Sequence, residues 1–128
     1  MLLNPKSRTL VVGGKDAATT TVYPLTNWLP TSGVKTARTL LQLSEPSAKF
    51  GVTAVYQLAA TDTTAPGSWT DIGTELTTES RLTGDVDLTT AVEGDWFIRF
   101  GVSAKNSNTT STFSFERGDV ALRVGLST

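Results

Sequence analysis

The chain of 128 residues contains no cysteine and no histidine. Disulfides, thiolate nucleophiles, haem and iron–sulfur ligation, histidine-based triads and zinc centres are excluded together, and most familiar active sites cannot be built from what remains. Charge of one sign is lacking as well: 11 Lys and Arg stand against 12 Asp and Glu, a net charge of −1. No strong field therefore recruits nucleic acid or an anionic membrane surface, and neither is expected as a partner. Nowhere do 18 apolar residues stand in a row, so no membrane-spanning helix is expected. The opening Met1-Leu2-Leu3-Asn4-Pro5-Lys6-Ser7-Arg8 has neither the apolar core nor the small-residue cleavage pattern of a signal peptide, which predicts a chain made in the cytoplasm and kept soluble.

What the sequence has in abundance is small hydroxyls, with 23 threonines and 11 serines. β-Branched side chains fit a pleated surface and lose rotamer freedom in a helix, so the composition is that of a β protein. The length suits one domain with its own core.

The strongest pattern is Phe50, Val52, Ala54, Tyr56 and Leu58 alternating with Gly51, Thr53, Val55, Gln57 and Ala59, which predicts a long half-buried strand. Its twin sets Trp96, Ile98, Phe100, Val102 and Ala104 against Phe97, Arg99, Gly101, Ser103 and Lys105. Thr61 to Gly67 reads as a loop, after which Ser68 to Thr74 resumes a strand, with a bulge near Asp71 to bring Trp69 and Ile72 into phase. Lys105 to Thr109 reads as a second hairpin turn. Phe113 and Phe115 lie out of phase with Val120, Leu122 and Val124, and a bulge or bend at Arg117-Gly118-Asp119 resolves the conflict. Arg8 to Val12, Thr19 to Leu25 and Val34 to Ser44 read as further strands; a helix over Thr36 to Leu43 is the alternative, opposed by Thr39 and the absence of caps.

Seven to nine short strands with no helix predict an all-β fold, an antiparallel β-sandwich of jelly-roll or immunoglobulin-like kind. Residues 1–15 read as an N-terminal basic arm and first strand, and residues 16–128 as a single β-sandwich domain. The expected core is Phe50, Val52, Tyr56, Leu58, Trp96, Ile98, Phe100, Val102, Leu122 and Val124.

Candidate chemistry is sparse. Asp85-Val86-Asp87 with Glu93 and Asp95 is the densest acidic stretch; it lacks the offsets of a helix-loop-helix calcium loop and reads as a solvated connecting loop, with calcium as the sharper alternative. A glycosidase pair among twelve carboxylates carries almost no specificity. Arg117-Gly118-Asp119 matches an integrin-read tripeptide but is already explained by the phase change, Asn108-Thr109-Thr110 marks an exposed turn, and Gly13-Gly14-Lys15 lacks the rest of a phosphate loop. Trp28, Trp69 and Trp96 with Tyr23 and Tyr56 could form a sugar-stacking platform, although Trp96 and Tyr56 share the core phase. Trp28, beside Asn27 and Pro30, and Phe97, on the outward phase, are the aromatics left to meet a partner, and Lys6, Arg8 and Lys15 make the first fifteen residues basic.

Val55 to Glu75, with Pro66-Gly67-Ser68-Trp69-Thr70-Asp71-Ile72-Gly73 at its centre, resembles the strand–turn–Trp-Thr-x-Ile-Gly hairpin of β-sandwich modules in phage particles and carbohydrate-binding proteins. Together with the composition, the chain resembles the small accessory proteins of tailed-phage virions, such as capsid decoration proteins. That resemblance implies no catalysis and no cofactor. Identical copies, often trimers, would clamp neighbouring capsomers through sheet edges and a terminal arm. The expectation is thus a non-enzymatic structural protein located in a virion, either a homo-oligomer or lattice-bound. Lys6, Arg8, Trp28 and Phe97 would be its partner-binding residues, and a carbohydrate-binding β-sandwich module is the alternative.

Overall fold

A computed structural model describes residues 2–3, 10–12, 19–31, 33–43, 50–59, 66–89, 97–106, 113–115 and 120–127; for 2–3, 10–12, 19–21, 50, 106 and 113–115 the description covers the backbone only. The strands are β1 (Leu2–Leu3), β2 (Leu10–Val12), β3 (Thr19–Pro24), β4 (Leu29–Pro30), β5 (Thr36–Leu43), β6 (Phe50–Ala59), β7 (Thr70–Leu76), β8 (Arg81–Asp87), β9 (Phe97–Asn106), β10 (Phe113–Phe115) and β11 (Val120–Ser127), and the described residues contain no helix. The helical alternative over Thr36 to Leu43 is resolved as β5. Its burial alternates strictly on the inner side, with Ala37, Thr39, Leu41 and Leu43 buried.

One sheet has the order β1-β11-β5-β8 and the other β3-β9-β6-β7, with β4 also on β9; β2 and β10 form a two-stranded ladder. All pairings among the described residues are antiparallel. Five of them nest: β1 with β11, β2 with β10, β3 with β9, β5 with β8, and β6 with β7. The described strands therefore pair as in one long hairpin rolled up so that β1·β11, β3·β9, β5·β8 and β6·β7 fall alternately into the two sheets. That wrap is a jelly roll, one of the two sandwich types expected.

The two sheets close on a single apolar cluster. Ala37, Leu41, Leu43, Val86, Val120, Leu122 and Val124 come from the first sheet; Val52, Ala54, Ile72, Leu76, Ile98, Phe100, Val102 and Ala104 come from the second. Of the expected core, Val52, Ile98, Phe100, Val102, Leu122 and Val124 are buried, and Tyr56 and Leu58 pack partly buried against the cluster. The Phe50 side chain and all of Trp96 lie outside the described residues.

Three expectations are corrected. β6 is not half-buried: Thr53, Val55, Gln57 and Ala59 on its second face are buried too, because β6 is a central strand flanked on both sides. No bulge lies at Asp71. Trp69 and Ile72 are an odd three residues apart, so a regular strand places them on opposite faces. The irregularity sits further on, where Val52 pairs with Leu76 and Ala54 with Ile72, so that Thr53 faces three residues of β7; Gly73 supplies the left-handed backbone, φ 79°, that this bulge requires. Phe113–Phe115 and Val120–Ser127 belong to different sheets, and the bulge or bend expected between them at Arg117-Gly118-Asp119 lies outside the described residues. Finally, Asp85-Val86-Asp87 is the end of strand β8, with Val86 in the core, and not a connecting loop.

Candidate functional site

Among the described residues, a connected set of side chains lies on the outer face of the second sheet. β4 enters with Leu29 opposite Ile98, which sets Trp28 beside Arg99 one step back in register. β7 enters with Thr70 opposite Tyr56, which sets Trp69 beside Gln57. Arg99 and Gln57 are themselves cross-strand partners. A row of four residues, Trp28, Arg99, Gln57 and Trp69, thus runs across the sheet.

The Arg99 guanidinium carbon stands 4.7 Å from the centroid of Trp28 and 4.9 Å from that of Trp69. Each contact lies within the range of a cation–π interaction, worth about 0.5–2 kcal/mol depending on how far water is excluded. Arg99 Nε–H donates to Gln57 Oε1 at 2.7 Å, and Gln57 Nε2–H donates to the Gly67 carbonyl at 2.7 Å. The Gly67 N–H in turn donates to the Leu58 carbonyl at 3.0 Å. The amide of Gln57, only 6 % exposed, therefore relays between the guanidinium and the loop that carries Trp69. On the other side the Leu25 and Thr26 N–H groups both donate to the Phe100 carbonyl, and the Phe100 N–H donates to Thr26 Oγ1 at 3.0 Å. The kinked edge leading to Trp28 is held on β9 by these bonds.

The row clamps both edges of the sheet to its centre. One face of each indole is turned to Arg99 and is thereby closed to a stacking sugar ring. Trp28, Trp69 and Phe97 are half-buried, and Phe97 lies two residues from Arg99 between Pro30 and Ala59. Tyr23 and Tyr56 pack toward the core instead. Lys6, Arg8 and Lys15 lie outside the described residues, as do Glu93, Asp95 and Asn108-Thr109-Thr110.

The first sheet presents a different outer face. Arg38 and Asp85 are cross-strand partners joined by an ion pair at 2.9 Å, with side chains 78 % and 61 % exposed. The hydrogen bond that Arg38 donates holds the Asp85 carboxyl below its ordinary pKa, and the same bond raises the Arg38 value. Asp87 Oδ1 accepts from the Thr89 hydroxyl at 2.6 Å and the Thr89 N–H at 2.9 Å, which lowers its pKa as well. An open groove of about 500 Å³ runs past Thr36, Arg38, Asp85, Asp87, Leu126 and Ser127. Its polar atoms are largely spent on one another, since Thr36 and Ser127 also share a hydrogen bond between their hydroxyls. Among the described residues no three Asp or Glu side chains are grouped to hold a metal ion, and no helix is long and apolar enough to cross a membrane. Comparison with known protein families, with curated proteins and with solved structures finds no match for this chain.

Proposed function

We propose that the protein is a non-enzymatic structural subunit of a larger assembly, of the kind found in phage virions as capsid or decoration components. The observation that carries the reading is the Trp28–Arg99–Trp69 clamp: the aromatics that a sugar-binding module would offer to its ligand are employed in holding this fold together. By analogy of architecture, the jelly roll is shared by virus capsid and lectin domains, and the clamp favours the first of these. The absence of His and Cys and the open, self-satisfied groove on the first sheet support a protein without chemistry of its own. Its partners in this reading are neighbouring copies or a shell protein, met through sheet edges and the arm carrying Lys6 and Arg8, with Trp28 and Phe97 at the outer face.

The test is fractionation of material from the source culture on a density gradient, with the chain followed by antibody. Co-migration with particle-sized assemblies is the expected result, and a chain found wholly free at the top of the gradient would overturn it. A glycan array run beside it addresses the carbohydrate-binding alternative: reproducible binding that disappears in both Trp28→Ala and Trp69→Ala would establish the alternative in its place.

A further inference from the structure

β8 ends the first sheet and pairs on one side only, with β5, among the described residues. The direction of its backbone groups follows from the ladder ends. Leu43 N–H donates to the Ser80 carbonyl, and Leu88 N–H donates to the Lys35 carbonyl. Even-numbered residues of β8 therefore bond to β5, and the N–H and C=O groups of Arg81, Thr83, Asp85 and Asp87 point away from the sheet. All four of these residues are exposed, whereas Leu82 and Val86 turn inward and Gly84 sits over Ile72 of the opposite sheet.

The sequence of this edge is complementary to itself in charge. If a second copy of β8 lies antiparallel to the first about a two-fold axis at Gly84, then Arg81 stands opposite the second copy's Asp87, and Thr83 opposite its Asp85, each twice. The pairing uses all the outward backbone groups, keeps the exposed face on one side, and sets Leu82 against Val86 on the inner side. Neighbouring registers are worse. A slip of one pairing step in one direction opposes Asp85 with its own copy, and like charges directly opposite are destabilising; a slip in the other sets Arg81 opposite Asp85, which Arg38 already holds, and leaves Asp87 with no partner in the second copy's β8. Asp87 is already held by Thr89 through Oδ1 only, and Arg81 makes no ion pair among the described residues.

We infer that β8 is a self-pairing edge, through which two copies of this chain join their first sheets into one continuous sheet by an isologous, two-fold contact. The inference deepens the assembly reading and rests on it, since it names the copy-to-copy contact of such a subunit. A seven-residue ladder is small beside the ~1,200–2,000 Å² of a stable interface, so association is weak in solution and gains from repetition on a lattice.

The experiment is sedimentation of the full chain over a concentration series reaching millimolar. Wild type is expected to dimerise, Arg81→Asp and Asp87→Arg each to weaken dimerisation about tenfold, and the double variant to recover most of the loss by restoring opposite charges in swapped positions. Thr83→Pro removes an N–H that faces the second copy and not β5, so it should abolish dimerisation while circular dichroism stays that of the folded chain. A dimer indifferent to Thr83→Pro, or weakened by both single variants without recovery in the double, would overturn the inference. A wild type that stays monomeric throughout but still co-migrates with particles overturns the self-pairing and leaves the assembly reading intact; a β8-dependent dimer absent from every particle does the reverse.

Discussion

Arg99 and Gln57 face each other on the two central strands of the second sheet, and the Arg99 Nε–H reaches Gln57 Oε1 at 2.7 Å. This bond fixes the guanidinium plane between two indoles that come from opposite edges of the sheet. A half-buried cation is thereby given a hydrogen-bond acceptor and two aromatic faces, and it repays them by holding both edges in place.

Arg99→Ala should accordingly cost about 1–3 kcal/mol in urea unfolding, from two cation–π contacts and one charge-assisted hydrogen bond. Arg99→Lys should recover only part of this, because an ammonium lacks the planar fork that serves both partners. Tryptophan emission should shift to the red in both variants as water reaches Trp28 and Trp69. Unchanged emission together with unchanged stability would show that the clamp contributes nothing.

Phe100 is completely buried at the centre of the cluster shared by the two sheets. Phe100→Ala should cost about 3–5 kcal/mol, a large share of the ~5–15 kcal/mol typical of a domain, measured by chemical denaturation.

Two glycines on the strands should respond oppositely to alanine. A Cβ at Gly101 would come within 2.5 Å of the Tyr23 carbonyl oxygen, and backbone there cannot yield cheaply. Gly101→Ala should lose about 1–3 kcal/mol or more. At Gly125 a Cβ meets nothing within 4 Å, so Gly125→Ala should stay within about 0.5 kcal/mol of wild type by thermal unfolding.

Leu2 and Leu3 pair with Arg123 and Leu122, so the start of the basic arm is an edge strand of the first sheet. Deleting residues 1–8 should therefore lower the melting temperature by roughly 4 °C or more, the equivalent of about 1 kcal/mol at this size. A melting temperature unchanged by the deletion would show that this ladder adds no stability.

Asp85 and Asp87 both have folded-state pKa values below the ordinary 3.8. For a depressed carboxylate the stabilisation is fully present above the unfolded value and is lost as pH falls through the lower folded one. Stability should thus decline on acidification from just above 3.8 downward. Asp87→Asn should flatten that acid limb in a pH series of melting temperatures, and it should leave the neutral-pH region nearly level, since the group is fully exposed.

Local regularities were legible in the sequence where apolar side chains recur at every second position of a strand. The alternation of Ile98, Phe100 and Val102 with Arg99 and Gly101 placed β9 and its core side correctly, and the absence of helix among the described residues accords with the hydroxyl-rich, β-branched composition. β8 was not legible as a strand. Its Arg-Leu-Thr-Gly-Asp-Val-Asp sequence is mostly polar, because an edge strand exposes one whole face and needs only Leu82 and Val86 to meet the core. The clamp was legible only as separate aromatics: Trp28, Trp69 and Arg99 are far apart in the chain, and none of them signals the others.

What the sequence by itself determined is the period of each strand and the chemistry the protein lacks, since both follow from residue types and their local spacing. What only the tertiary structure decided is the wrap. Each strand's alternation states which side is dry but not which strand lies beside it; that choice is made by nested pairing and by two sheets closing on one cluster. The same closure puts Gln57 and Arg99 side by side between Trp28 and Trp69, and leaves β8 at an edge. Long-range contacts of this kind are selected by shared burial and backbone hydrogen bonding across the chain, and no local stretch of residues carries them.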